Sequence, residues 1–235
     1  MAGREPSRGE RVRSAQHPAF VVDRAFVRRW IEQASVRIEE QRDFLTQLDA
    51  AIGDADHGVN MHRGFVAAVA TIQAADDRPP GAILTEVGTT LVYRVGGAAG
   101  PLYGSAFRRI GAALSEGATR DGEALLVALR AGLEGIQDLG AAVPGDKTIV
   151  DAWAPAVAAF ERSLRAGATV PDAALRAVDA ANEGVAGTLP MQARKGRASY
   201  LGPRSVGHQD PGATSTALLF AALERAVRDD RPERA

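Results

Sequence analysis

Three aspartates in the stretch LDAAIGDADHGVNMHRGF, Asp49, Asp54 and Asp56, are spaced by five and then two residues around Gly53. Aspartates so placed either cap helix ends by accepting backbone N–H groups or converge on a hard cation. On an ideal helix Asp49 and Asp56 share a face and Asp54 lies off it. Convergence therefore needs the helix to end near Gly53 and the backbone to curl before Gly58. Carboxylates brought together in this way repel unless a cation neutralises them. A calcium loop of EF-hand type does not fit, because counting from Asp54 puts Val59 where glycine is required and Phe65 where a bidentate glutamate is required. A small all-oxygen set suits Mg2+, with water and phosphate oxygens completing its shell. The pattern alone leaves capping and cation binding both open.

Two further stretches carry chemistry of matching sign. VGGAAGPLYG, residues 95–104, lacks the GK[ST] of a Walker loop and the βαβ context of a dinucleotide fingerprint. Its glycines nevertheless lead into a helix opened by Pro101, which leaves backbone N–H groups at a positive helix end suited to phosphate. A tight helix–helix turn is the alternative. MQARKGRASYLGPRSVGHQDPGATS, residues 191–215, gathers Arg194, Lys195, Arg197 and Arg204, too few for nucleic-acid binding by charge but of the right sign for a polyphosphate, with a solvated basic loop as the alternative. Asp210 before Pro211 reads as an N-cap with proline at N1.

Other chemistry is poorly represented. There is no cysteine, no GxSxG elbow and no HExxH helix. Of the 28 basic residues only Lys147, in PGDKT, and Lys195, in ARKGR, are lysine. A compact ammonium suits geometry that a planar guanidinium does not meet, so the two lysines reflect either such a demand or chance retention.

The elements that must position these residues are helical. Alternating β-branched runs are few, and apolar residues recur at helical spacing between short Gly, Pro and Asp breaks. Eight helices are expected. The first runs from about Asp23 to Leu48 on a stripe of Phe26, Val27, Trp30, Ile31, Ala34 and Ile38. The others cover about 59–75, 81–95, a segment from 101, 122–139, 149–165, a segment from 170, and 211–227, with Pro155 expected near the first turn of its helix or at a kink. Short connections favour antiparallel neighbours, and the long one between Gly187 and Gly212 is a candidate for function.

Composition bounds the rest. A net charge of −1 gives no field drawing the chain to nucleic acid or to anionic membrane, and no apolar run is long enough to span a bilayer. Residues 1–20 lack the apolar core of a secretory signal and are expected to be a disordered leader, with residues 21–235 forming one domain in the cytoplasm.

LDAAIGDADHGVNM, GGAAGPLYG, PGDKTIVDAWAPA and MQARKGRASYLGPRSVGHQDPGATS stand in the order and spacing of the DhaL family, which the chain resembles over about residues 23–228. This family comprises the nucleotide-binding L subunits or domains of dihydroxyacetone kinases. The resemblance implies an all-α fold, an eight-helix antiparallel α-barrel, with ADP or ATP at one end. It implies two Mg2+ ions held by Asp49, Asp54 and Asp56. Nucleotide contacts are implied for His57, Gly58, Val59 and Asn60, for Ala98 and Ala99, for Gly140 and Ile149, for Arg197, and for Asp210, Pro211 and Gly212. Two departures stand out. Ala99 replaces the serine common in GGASG, removing one hydrogen bond to a charged group, worth about 1.5–3 kcal/mol. Pro203 replaces the glutamate of YLGERS.

The implied activity is phosphoryl transfer to dihydroxyacetone, which a separate DhaK-type subunit binds covalently. Catalysis would come from positioning and electrostatics, with no nucleophile in this chain. The phosphoryl donor is either exchangeable ATP or, as a standalone L subunit favours, tightly held ADP recharged by a DhaM-type phosphotransferase subunit. The alternatives are a kinase subunit for another short ketose such as erythrulose, or for a fatty acid, and a nucleotide-sensing regulator without transfer activity.

Overall fold

The computed structural model describes residues 20–74, 77–116 and 120–229. The leader expected over residues 1–20 lies outside these apart from Phe20. Among the described residues there are nine α-helices, one 3-10 segment and no strand. They are α1 (Arg24–Glu40), α2 (Arg42–Ile52), α3 (His57–Gln73), α4 (Pro80–Arg94), α5 (Ala99–Glu116), α6 (Gly122–Gly140), α7 (Val150–Arg165), α8 (Val170–Gly187), the 3-10 segment Arg197–Ser205, and α9 (Pro211–Arg228).

The helices begin where the sequence supplies acceptors. Asp23, Asp121, Thr169 and Asp210 cap α1, α6, α8 and α9 by accepting the N–H three residues on. Prolines 80, 171 and 211 occupy first-turn positions where no N–H is needed. The stretch expected as one helix from Asp23 to Leu48 is two, because Gln41 leaves helical geometry at φ −106°, ψ 8°. Pro155 lies inside α7, past its first turn. The Asp151 carbonyl four residues earlier, which a proline cannot satisfy, is approached by α8 at Gly184.

Helix neighbours form a closed ring, in which α1 packs on α3, each helix from α3 to α9 packs on the next, and α9 returns to α1. This is an eight-membered α-barrel, with α2 laid against α3 and α9 as an addition to it. The stripe of α1 is buried as its spacing predicts, and Trp30 stacks near Phe107 at 5.4 Å while its Nε1 donates to the Leu219 carbonyl. Full burial of each such aromatic is worth about 1.5–3 kcal/mol. Helices α4 and α5 approach nearest at Gly88–Gly104 and Gly81–Gly111, where a β-carbon on Gly88 would fall 2.6 Å from the Gly104 carbonyl oxygen. Among the described residues no helix is long and apolar enough to cross a membrane.

An up-and-down ring returns every second connection to the same end. The α2–α3, α4–α5, α6–α7 and α8–α9 connections therefore share one end of the barrel, and they contain the four conspicuous sequence stretches.

Candidate functional site

The acidic turn is built by the end of α2. Gly53 stops the helix, its N–H donating to the Asp49 carbonyl at 2.5 Å. A β-carbon there would lie 2.0 Å from Asp49 Oδ1, so only glycine leaves that carboxylate in place. Asp49 Oδ2 accepts from the backbone N–H groups of Asp56 (2.9 Å) and His57 (3.2 Å), which caps the start of α3. Asp56 sits at the N-cap position of α3 but makes no side-chain capping bond. Capping and clustering therefore coexist. Asp49 does the capping, and one carboxylate oxygen from each of Asp49, Asp54 and Asp56 lies within 4.8 Å of the others. Such a set of hard oxygen donors fits Mg2+. Across the mouth, Arg197 reaches Asp54 at 2.9 Å.

A buried hydrogen-bond chain supports this turn from below. His57 Nε2 lies 2.9 Å from Ser215 Oγ, and the Tyr103 hydroxyl lies 2.7 Å from Ser215 Oγ, 2.8 Å from Thr216 Oγ1 and 3.0 Å from the Gly212 carbonyl that accepts from it. Helices α3, α5 and α9 are thus joined beneath the cleft. Burial holds the His57 imidazole below its ordinary pKa against the pull of Asp49 and Asp56, and burial raises the Tyr103 phenol.

In the glycine turn, Gly97 adopts φ +64° and α5 starts at Ala99. Neither Ala98 nor Ala99 has a side-chain oxygen to cap the helix, which leaves the first-turn N–H groups available to an anion. In PGDKT, the buried Asp151 accepts from the N–H groups of Gly145 (2.5 Å) and Thr148 (2.7 Å), and Asp146 accepts from Val143 (3.0 Å). Lys147 is 1% exposed, and its Nζ donates to the carbonyls of Thr188, Met191, Ser205 and His208. Asp210 caps α9 through Ala213 N–H at 2.7 Å. Its burial, with Asp151 nearby, pushes its pKa up to about 7, opposed by the cap and by Lys147.

These segments enclose a cleft of about 440 Å³, within the range of small-molecule sites. Asp49, Asp54, Asp56 and His57 line it from the acidic turn, Ala98 and Ala99 from the glycine turn, Gly140 and Ile149 from either side of PGDKT, and Arg197, Asp210, Pro211 and Gly212 from the last connection. Gly58, Val59 and Asn60 are not on its wall. Gly58 packs against Arg42 and Thr46 of α2, Val59 is half-exposed, and the buried Asn60 lies behind Gly96 and accepts from Arg63. Of the basic cluster, Lys195 and Arg197 line the cleft, while Arg194 and Arg204 do not. His62 pairs with Glu39 away from it.

Sequence reasoning missed the aliphatic part of the wall, made by Ile52, Leu102, Ile136, Leu139 and Ala142. Ile136 and Leu139 carried no signal, since on α6 they look like ordinary core positions. Ser215 and Tyr103 were also missed, although both stand inside the stretches singled out.

Residues 51–225 match the family model of the DAK2 domain. The sequence is 42% identical over 200 residues to the PEP-dependent dihydroxyacetone kinase ADP-binding subunit DhaL of Escherichia coli (strain K12), spanning 85% of this chain and 95% of that protein. The chain belongs to the DhaL family. A second DhaL, the ADP-binding subunit of PEP-dependent dihydroxyacetone kinase 1 of Listeria innocua serovar 6a, is 42% identical over 205 residues, 86% of this chain and 96% of that protein. The crystal structure of the dihydroxyacetone kinase from C. freundii in complex with AMP-PNP and Mg2+ shares the fold, with a TM-score of 0.67 at 24% identity over 96% of this chain and 38% of that one. The DhaL assignment agrees with the ring of helices and with the four motif-bearing connections gathered at one end of it.

Proposed function

We propose that this chain is the nucleotide-binding L subunit of a dihydroxyacetone kinase, with residues 21–235 acting as one domain that transfers a phosphoryl group to a ketose presented by a separate DhaK-type subunit. The observation that carries the reading is the three-carboxylate cluster facing the same cleft as an uncapped, glycine-led helix start. Both relatives described above are named as ADP-binding subunits of PEP-dependent kinases. This favours ADP held as a cofactor and recharged by a DhaM-type phosphotransferase subunit over freely exchanging ATP.

In this reading Asp49, Asp54 and Asp56 hold Mg2+, two ions by family resemblance. Bound there, the metal neutralises phosphate charge and orients the transferred group. The first-turn N–H groups of α5 and the cationic Arg197 and Lys195 bind the phosphates, and the aliphatic wall of Leu102, Ile136, Leu139 and Ile149 takes the base. His57 is held by Ser215 at the edge of the acidic turn, fixed in place before nucleotide enters. Asp210 keeps α9 and its Pro211–Gly212 turn against the cleft. With no cysteine or activated serine among the described residues that line the cleft, these residues position and neutralise, and the ketose hydroxyl supplies the nucleophile.

Reconstitution tests the proposal. Chain, a DhaK-type subunit and dihydroxyacetone should give dihydroxyacetone phosphate with phosphoenolpyruvate and the phosphotransferase components, or with ATP. No turnover with either donor, in a sample shown to hold Mg-ADP, would overturn it.

A further inference from the structure

Lys147 is the largest charged side chain among the fully buried residues described, and its four partners are all neutral carbonyl oxygens. They lie at 2.9 Å (Thr188), 3.2 Å (Met191), 2.7 Å (Ser205) and 2.5 Å (His208). An ammonium has three protons for these four acceptors, whereas a neutral amine has only two, so the arrangement serves the charged form. A guanidinium has its donors in one plane and could not face four converging carbonyls. Carbonyl oxygens gathered around a compact cation are how a backbone replaces the hydration shell of a monovalent ion.

The four carbonyls are spread along the connection between α8 and α9, on both sides of Arg197. Further bonds fasten that connection to the site. Asp210 N–H donates to Thr188 Oγ1 at 3.0 Å, so the residue whose carbonyl meets Lys147 also anchors the N-cap of α9. Ser205 Oγ accepts from Ala193 N–H at 2.9 Å, and Arg194 N–H donates to the Asp146 carbonyl at 3.0 Å. Lys147 itself has φ +62°, a backbone state that a non-glycine residue keeps only where its surroundings hold it.

We propose that the Lys147 ammonium is a built-in monovalent cation around which residues 188–208 fold, and that it thereby positions Arg197 and the start of α9 for the nucleotide. Lys147 borders the cleft, but its donors are all engaged by carbonyls, which makes it a positioning residue. The second half of the proposal rests on the nucleotide reading of the cleft. Removing the side chain should leave a four-carbonyl site that a free ammonium ion fills.

The test compares wild type and Lys147→Ala in ammonium chloride and in tetramethylammonium chloride at equal ionic strength, the latter cation being too large for the site and without N–H donors. Amide hydrogen exchange is read across residues 188–210, and Mg-ADP affinity is read by calorimetry. In tetramethylammonium the variant should exchange faster over 188–210 with the remaining helices unchanged. Its Mg-ADP affinity should fall about tenfold or more. Ammonium should reverse both effects with a saturable dependence. Unchanged exchange in the variant, or ammonium no better than tetramethylammonium, would overturn the proposal. If wild type itself binds no Mg-ADP, the nucleotide reading fails while the exchange measurement still decides the role of Lys147. Should Lys147→Ala not fold, Lys147→Arg keeps the positive charge but presents it as a planar guanidinium that four converging carbonyls do not match. Faster exchange over residues 188–210 with several-fold weaker Mg-ADP supports the proposal, and wild-type behaviour overturns it.

Discussion

Arg197 Nη2 stands 2.9 Å from Asp54 Oδ2, pinning the basic connection between α8 and α9 to the acidic turn across the cleft mouth. The guanidinium therefore competes with any cation for Asp54. Both groups are substantially exposed, so the pair is worth no more than about 1 kcal/mol. Arg197→Ala should bind Mg2+ about 1.5- to 5-fold more tightly without nucleotide, yet bind Mg-ADP more weakly. Titration calorimetry with and without ADP separates the two effects, and weaker Mg2+ binding in both conditions would contradict this account.

Asp49 and Asp54 differ in what else they hold. Asp49 accepts two backbone N–H groups, whereas Asp54 accepts none among the described residues. Asp54→Asn should weaken Mg2+-dependent retention of nucleotide but change stability in chelator by less than about 1 kcal/mol, because relieved repulsion among the carboxylates offsets the lost Arg197 pair. Asp49→Ala should lose nucleotide retention and also about 1–3 kcal/mol of stability through unpaired N–H groups. Denaturant melts in chelator check the contrast, and equal stabilities for the two variants would refute it.

Asp210 links stability to pH. Its pKa rises from 3.8 to about 7 in the folded chain, chiefly through burial. The folded state thus holds this proton more tightly than the unfolded state. Its contribution is fully present below about pH 4 and is lost as pH rises through about 7. Asp210→Asn retains a capping side chain without the titration. Unfolding free energy in chelator, measured from pH 4 to 7.5, should fall more steeply with pH in wild type than in the variant, by at most about 1.4 kcal/mol per pH unit. Parallel profiles would show that Asp210 is ordinary.

The buried chain beneath the cleft separates support from contact. Tyr103→Phe removes one hydroxyl, but Ser215 and Thr216 both keep the Gly212 carbonyl as a partner. The loss should be about 1 kcal/mol, or about 2–4 °C in Tm, with nucleotide affinity little changed. Ser215→Ala leaves His57 Nε2 without its 2.9 Å partner and should weaken Mg-ADP binding as well. Equal affinities for the two variants would remove His57 from the nucleotide site.

Much of this was legible in the sequence because the chemistry is local. The acidic turn, the glycine turn and the capped start at Asp210 each lie within a few consecutive residues, and the α1 stripe is a direct periodic signal. The break at Gln41 was not legible, since no glycine or proline marks it and the apolar pattern continues on both sides. Asn60 sits in a conspicuous motif yet faces Gly96, and its direction depends on how α3 docks. The aliphatic wall is assembled from α2, α5, α6 and the connection after α6, so no window of sequence contains it. Lys147 drew notice only by being a lysine in an arginine-rich chain, and its partners lie from 41 to 61 residues away.

The backbone contact between α4 and α5 gives the cleft a vulnerability far from its own wall. The glycine turn is the tip of this helix pair, and Gly81 lies fifteen residues before Gly96, roughly 20 Å along the axis. A β-carbon at Gly111 would come 2.4 Å from the Gly81 carbonyl oxygen and 2.6 Å from the Thr85 amide nitrogen, backbone atoms that cannot swing aside. One added methyl group would act as a wedge at the base of a lever whose far end carries the N–H groups meant for phosphate. Mutational sensitivity of this site should therefore extend to the opposite rim of the barrel, along a line of glycines that never meets a ligand.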